Sequence, residues 1–235
     1  GEGYRDAIIA ADNTAFREAR RIYTNSRTVS GRLRAFNNVA SEVLYPPLMK
    51  PERYRAEGYG DYILYTSRLV PHKRQDLAVK SMRYVRTPVK LVIAGRAAEP
   101  EYETGLRELI GRYGLENRVS LLAGWLPEEE KVRLFAQCLA AIYIPYDEDS
   151  YGYCSLEAHH AAKAVITASD SGGTLELIAD GENGFVCEPE PRAIAAAMDR
   201  LWADRKRARE MGEAGRQRVF ALGITWENVL GRLTS

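Results

Sequence analysis

Residues 140–169, AAIYIPYDEDSYGYCSLEAHHAAKAVITAS, decide the fold. An apolar run, AAIYIP (140–145), ends in an acidic turn, a helical stretch follows over 152–162, and a second apolar run, AVITAS, fills 164–169. Runs of this kind, apolar on both faces, suit strands buried in the middle of a sheet, and a helix between them makes the pair parallel. The same alternation extends outward. Strands are expected at YILYTS (62–67), KLVIAG (90–95) and VSLLAG (119–124) before this unit, with a short FVCEP (185–189) after it. Helical segments near 73–86, 100–114, 127–138 and 173–179 separate them. Right-handed crossovers then give an α/β fold with a doubly wound, Rossmann-like parallel sheet. Such sheets gather ligands outside the carboxyl ends of their strands, where Arg68, Gly95, Trp125 and Asp147 to Asp149 fall.

Outside this regular part the pattern changes. Residues 4–21 read as an amphipathic helix with Ile8, Ile9, Ala15, Phe16 and Ala19 near one face, followed by a short strand over 21–26. A second helix is expected from Thr28 to Phe36 and a second short strand over 42–45. The Pro- and Gly-rich stretch that follows punctuates rather than builds structure and reads as an interdomain linker over 47–60. The regular domain then runs over 61–222, and Thr225 can cap a last helix within 223–235.

Composition narrows the classes of partner. In 235 residues, 33 basic side chains balance 32 acidic ones, so nothing points to a nucleic-acid surface, and any phosphate selectivity has to be local. Cys138, Cys154 and Cys187 have neither a disulfide framework nor zinc spacing, which suits core thiols in a reducing cytoplasm. No apolar run approaches the ~20 residues that span a bilayer, and no signal-peptide pattern opens the chain, although a face resting on a membrane stays open. The chain starts Gly-Glu-Gly without an initiator Met, as expected of a processed or cut start.

Four side chains are expected to carry the chemistry. Asp149 and Glu157 flank the helix start at Gly152 with seven residues between them. Unpaired backbone N–H groups at such a start attract a phosphate, while carboxylates accept hydrogen bonds from sugar or ribose hydroxyls. SRLVPHKRQDL, after the first strand, brings Arg68 and Lys73 around a Pro turn in place of the glycines of a dinucleotide fingerprint. A planar guanidinium and a mobile ammonium suit a diphosphate better than they suit a nicotinamide or flavin cofactor. A loop cation is more often simply solvated, but a strand's carboxyl end favours the phosphate contact. For Glu157 the plain alternative is a salt bridge. For Asp147-Glu148-Asp149 it is a solvated acidic loop, or an Asp-x-Asp metal seat, which the spacing of Asp149 to Glu157 disfavours. His159 and His160 point about 100° apart on a helix and read as structural. His72 reads as a loop histidine, and Ser171-Gly172-Gly173-Thr174 with Glu176 as a turn where glycine lets a ligand approach the backbone.

Taken in order, SRLVPHK (67–73), DSYGYCSLE (149–157) and DSGGTLE (170–176) resemble the carboxyl-terminal half of retaining glycosyltransferases of the group 1 class, family 4. That family has the GT-B fold of two facing Rossmann-like domains. The resemblance implies that Arg68 and Lys73 bind the donor diphosphate and that Glu157 holds the ribose. It further implies that Ser150, Tyr151, Gly152 and Tyr153 approach the donor sugar and phosphates, with Gly95 beside them, and that Leu126 lies near the nucleobase. Asp149 stands where the family has its first Glu, and Ala162 and Ala164 where it has Gly and Pro, a change expected to affect the helix end more than the site. Residues 1–46 would be a remnant of an amino-terminal acceptor domain and 223–235 a crossover helix, so that this chain supplies the donor half. The implied reaction moves a hexose-type sugar from a nucleotide-diphosphate donor to a glycan or lipid-linked acceptor with retention and without a metal. No cofactor is expected beyond the nucleotide sugar as co-substrate, and the setting is the cytoplasm or the inner face of its membrane. The rival readings are a non-catalytic nucleotide-sugar binding or regulatory module and a nucleotide-sugar epimerase of the same fold.

Overall fold

A computed structural model describes residues 2–235; Gly1, the first residue of the expected 1–46 segment, lies outside them. The chain opens with α1 (Glu2–Glu18), β1 (Tyr23–Thr24), α2 (Arg27–Asn37) and β2 (Glu42–Val43), the two strands pairing in parallel. Six longer-range strands follow: β3 (Tyr62–Thr66), β4 (Lys90–Gly95), β5 (Val119–Ala123), β6 (Ala140–Ile142), β7 (Ala164–Ala168) and β8 (Gly184–Cys187). Between them run α3 (Gln75–Met82), α4 (Pro100–Arg112), α5 (Glu128–Gln137) and α6 (Tyr153–His160). The chain ends with α7 (Pro191–Ala203), α8 (Arg205–Ala221) and α9 (Trp226–Leu233).

The six strands form one all-parallel sheet in the order β5-β4-β3-β6-β7-β8. Counting from β3, this is the doubly wound order in which the winding reverses between the first and fourth strands. Ile63, Leu64, Tyr65, Ala140, Ala141, Ile142, Val165 and Ile166 are fully buried, as helices on both faces require of central strands. At the edge, β5 alternates buried or half-buried Val119, Leu121 and Ala123 with exposed Ser120 and Leu122.

Three departures from the sequence reading have a clear physical reason. The strand expected over 140–145 pairs only to Ile142; Tyr143 donates one more bond to the Ile166 carbonyl at 2.9 Å, and Pro145 has no N–H with which to continue. The helix expected near 173–179 is a short helical turn, Gly172–Glu176. The Asn183 side chain takes up the Ala179 N–H at 2.7 Å and the Leu177 carbonyl at 2.9 Å, groups that a longer helix would have paired itself. Residues 47–60, read as punctuation, are packed. Leu48 and Tyr54 join the core, and Gly58 and Gly60 donate to the Ala136 and Gln137 carbonyls at the end of α5.

The amino-terminal segment attaches through a helix end. Glu176 accepts from the N–H groups of Arg27 and Thr28 at 2.8 and 2.9 Å and from Tyr45 Oη at 2.7 Å, so a carboxylate from the main sheet's side caps α2. By contrast, α1 lies open, with Tyr4, Ile8 and Ile9 exposed. Thr225 caps α9 as expected, accepting from the Asn228 N–H at 3.2 Å.

Candidate functional site

Between the carboxyl ends of β3 and β6, where the winding reverses, a cleft of about 510 Å³ opens. Its walls bring together Arg68, Lys73, Gly95, Leu126, Ser150, Gly152, Tyr153 and Glu157, all of which the sequence had singled out. Asp149 and Tyr151 are not among its lining residues.

The loop after β3 sends Arg68 and Lys73 to different fates. Arg68 is exposed at the rim. Lys73 closes the helical turn Pro71–Lys73 and is buried; its ammonium donates to Tyr143 Oη at 2.7 Å and to Glu148, which shares the cleft wall. The next residue, Arg74, takes a left-handed backbone (φ 56) and anchors the loop. Its guanidinium grips the Asp170 carboxylate at 2.7 and 2.8 Å and the Ile144 and Pro145 carbonyls at 2.7 and 2.8 Å. One side chain thereby joins the loops after β3, β6 and β7.

Gly152 begins α6 with φ 71, and a Cβ there would overlap the Tyr143 ring, so glycine is required on both counts. No side chain caps α6, and its first N–H groups, at Tyr153 and Cys154, belong to residues that line the cleft. The paired glycines downstream act differently from the reading that a ligand approaches them. A Cβ on Gly173 would meet the Asp149 carbonyl at 2.7 Å, and the Gly173 N–H donates to the Glu148 carbonyl at 2.7 Å. What approaches this turn is the acidic loop itself.

Within that loop the carboxylates separate. Asp147, at φ 47, and Asp149 both pair with Arg32 of α2 and are exposed. The Asp149 side chain therefore faces the amino-terminal segment and leaves the cleft wall to Glu148. Tyr151 turns its hydroxyl to the Pro46 carbonyl and its ring to Tyr45, 5.7 Å away. Among the described residues no group of three His, Cys, Asp or Glu side chains is arranged to hold a metal ion.

Glu157 is buried one and a half turns into α6, and two donors that the sequence did not single out meet it. Lys131 of α5 donates to Glu157 Oε1 at 2.6 Å and to Glu128 at 2.9 Å. Tyr54, from the packed 47–60 segment, lies 3.1 Å from the same Oε1 and donates to Glu128 at 2.7 Å. Oε2 takes no hydrogen bond from the described residues. Burial, the largest influence, pushes the Glu157 carboxyl above the ordinary range, against the pull of Lys131 and Tyr54. Burial also works against the Lys131 ammonium, yet Glu157 and Glu128 together hold its pKa above the usual lysine value.

His159 is buried and takes its two hydrogen bonds within the fold. With its proton on Nδ1, a neutral His159 donates to the Lys163 carbonyl at 3.1 Å and accepts from the Asn183 amide at 3.3 Å; burial lowers its pKa to about 4. His72 is exposed, with its pKa lowered by desolvation and by neighbouring Lys73. Cys138 and Cys154 are buried thiols whose pKa burial raises to about 12.

Comparison with known proteins shows the family and the fold. Residues 50–218 match the family described as Glycosyl transferases group 1. The chain is 37% identical over 141 residues to alpha-1,3/1,6-mannosyltransferase ALG2 of Dictyostelium discoideum, covering 56% of this chain and 32% of that protein. It is 31% identical over 233 residues to the GDP-mannose-dependent alpha-(1-6)-phosphatidylinositol monomannoside mannosyltransferase of Mycobacterium tuberculosis, covering 90% of this chain and 58% of the relative. The chain thus spans at most a little over half the length of these two relatives. Among solved structures, Anabaena Alr3699/HepE in complex with UDP superposes with a TM-score of 0.83 at 22% identity, over 94% of this chain and 65% of that one. Sucrose-phosphate synthase from Thermosynechococcus elongatus superposes with a TM-score of 0.82 at 21% identity, over 97% and 61%. These two likenesses show the shared fold.

Proposed function

From the premise that the chain belongs to the group 1 glycosyl transferases, we propose that it supplies the donor site of an enzyme moving a hexose from a nucleoside diphosphate to a glycan or lipid-linked acceptor. One observation carries this reading: a cleft at the sheet's switch point gathers the cations Arg68, Lys73, Arg96 and Lys131, an uncapped helix start, and a buried Glu157 whose Oε2 takes no hydrogen bond from the described residues. Donors for a diphosphate and an acceptor for ribose hydroxyls are what such a ligand needs at its two ends. Trp125, largely exposed at the lip beside Leu126, offers a flat face for the base.

In the reaction, Arg68, Lys73 and the α6 start stabilise charge on the departing diphosphate, the role that preorganised donors perform well. The acceptor is supplied by a facing domain, and transfer proceeds with retention and needs no metal. The mannosyltransferase relatives make GDP-mannose the first donor to test, and the UDP carried by the Anabaena structure makes UDP-glucose the second. Thermal unfolding with GDP, UDP and their sugars is the direct test, because a ligand that binds only the folded state raises its melting temperature by mass action. At least one nucleoside diphosphate is expected to raise it well beyond its nucleoside; no response to any of them refutes the reading. Product analysis with an acceptor and the facing domain then separates transfer from mere binding and from epimerisation.

A further inference from the structure

Glu157 is held by two residues that come from neither of its flanking loops, one of which, Lys131, also lines the cleft. We propose that Lys131 and Tyr54 are positioning residues that fix the orientation of the Glu157 carboxylate and keep it charged for the donor's ribose. The inference rests on the reading of Glu157 given above, and it adds a dependence on α5 and on the segment that precedes the sheet. Glu157 Oε1 faces both donors, at 2.6 Å from Lys131 Nζ and 3.1 Å from Tyr54 Oη, which leaves Oε2 of this cleft-lining residue without a partner among the described residues.

The proton count makes Lys131 the decisive member. Tyr54 has a single hydroxyl proton and lies closer to Glu128, at 2.7 Å, than to Glu157. Lys131 has three and reaches both carboxylates. The charged and titratable groups around Glu157 are Lys131 and Glu128 on α5, Tyr54 with Arg53 beyond it on the preceding segment, and Cys154 on α6 itself. The cleft is also lined by Arg68, Lys73, Arg96, Tyr143, Glu148 and Tyr153. Without Lys131, two carboxylates share one hydroxyl. The proton that relieves them falls on Glu157, whose side chain is 7% exposed against 42% for Glu128. A protonated Glu157 loses much of its capacity to accept from a ribose hydroxyl.

The test compares GDP or UDP, whichever binds, with its dideoxyribose analogue by titration calorimetry from pH 6.5 to 9. Wild type is expected to prefer the ribose form by a constant factor. Lys131→Met is expected to lose about tenfold of that preference at the acid end of the range, as one lost acceptor bond of ~1.4 kcal/mol requires, and to regain it as pH rises and Glu157 ionises. Lys131→Arg, still a cation, should keep the flat profile. Tyr54→Phe should lower the preference by a smaller factor, because Lys131 remains. Should Lys131→Met fail to fold, Lys131→Gln, which keeps a donor without charge, carries the same expected pH dependence. A flat, undiminished preference in the uncharged variant overturns the positioning role while leaving Glu157 as the ribose contact. No preference for ribose in wild type overturns both.

Discussion

Lys73 offers a perturbation whose sign can be worked out in both directions. Its ammonium is buried, with one proton on Tyr143 Oη, one on Glu148 and one left for a ligand in the cleft. Replacing it in Lys73→Met removes a charge-assisted contact worth about 1.5–3 kcal/mol, or roughly tenfold to 150-fold in affinity for a nucleoside diphosphate. The same change leaves the Glu148 carboxylate on the cleft wall with no cation beside it, which repels a diphosphate and pushes the loss toward the upper end. Glu148→Gln acts oppositely: it frees the ammonium and removes the repulsion, so the diphosphate should bind tighter by up to about tenfold. The bare nucleoside should notice neither change. Titration calorimetry of nucleoside and nucleoside diphosphate on both variants and on the double variant decides it, with all differences shrinking at high salt. Weaker diphosphate binding by Glu148→Gln, or an equal loss for the nucleoside in Lys73→Met, would refute the placement of the diphosphate at Lys73.

The other expectations are narrower. Asp149→Asn should leave free nucleoside diphosphate affinity within about twofold, since its carboxylate faces Arg32 and not the cleft; a tenfold loss by calorimetry would show that the loop turns inward on binding. Ala162, just past the end of α6, sits at φ 51, where a Cβ costs about 1–2 kcal/mol. Ala162→Gly relieves that strain but adds about 0.5–1 kcal/mol of chain entropy, so a net gain near 0.5–1 kcal/mol should appear as a melting temperature raised by about 1–4 °C, and a lowered one would contradict the strain. His159 is held neutral with its pKa lowered from 6.5 to about 4, so its contribution to stability is complete above pH 6.5 and is lost as pH falls toward 4. Urea unfolding should weaken over that window by up to about 1.4 kcal/mol per pH unit for this one group, and His159→Gln should flatten the slope.

The sheet was legible because burial leaves a mark on composition. Strands such as β3 and β7, covered on both faces, have to be apolar throughout, and helices of one crossover length separate them. What composition could not show is where a segment without regular structure packs. Tyr54 lies in a stretch of Pro, Gly and charged residues that has every local sign of a linker, yet it is 4% exposed. Its burial depends on α5 and α6 meeting behind it, a fact of topology that spacing along the chain does not carry. The open α1 is the converse case. Its apolar positions follow a helical period, but no period says whether a partner surface is present.

The site divided along the same line. Arg68, Lys73, Gly152 and Glu157 sit at strand ends or at a helix start, positions that the alternation of strands and helices already locates. Glu148 and Asp149 are neighbours with the same charge, so only the turn of the backbone decides which faces Lys73 and which faces Arg32. That turn is set at a distance: Arg74 ties the loop after β6 to Asp170, and Gly172 and Gly173 leave room for the loop's backbone to lie against them. Lys131 follows three consecutive glutamates at the start of α5 and reads as a solvated i,i+3 partner of Glu128, which it also is. Its second bond, to Glu157, joins residues 26 positions apart. A buried carboxylate with no cation nearby in sequence is therefore itself a signal: it has to find a donor from another element, and a half-buried lysine on the neighbouring helix is the first place to look.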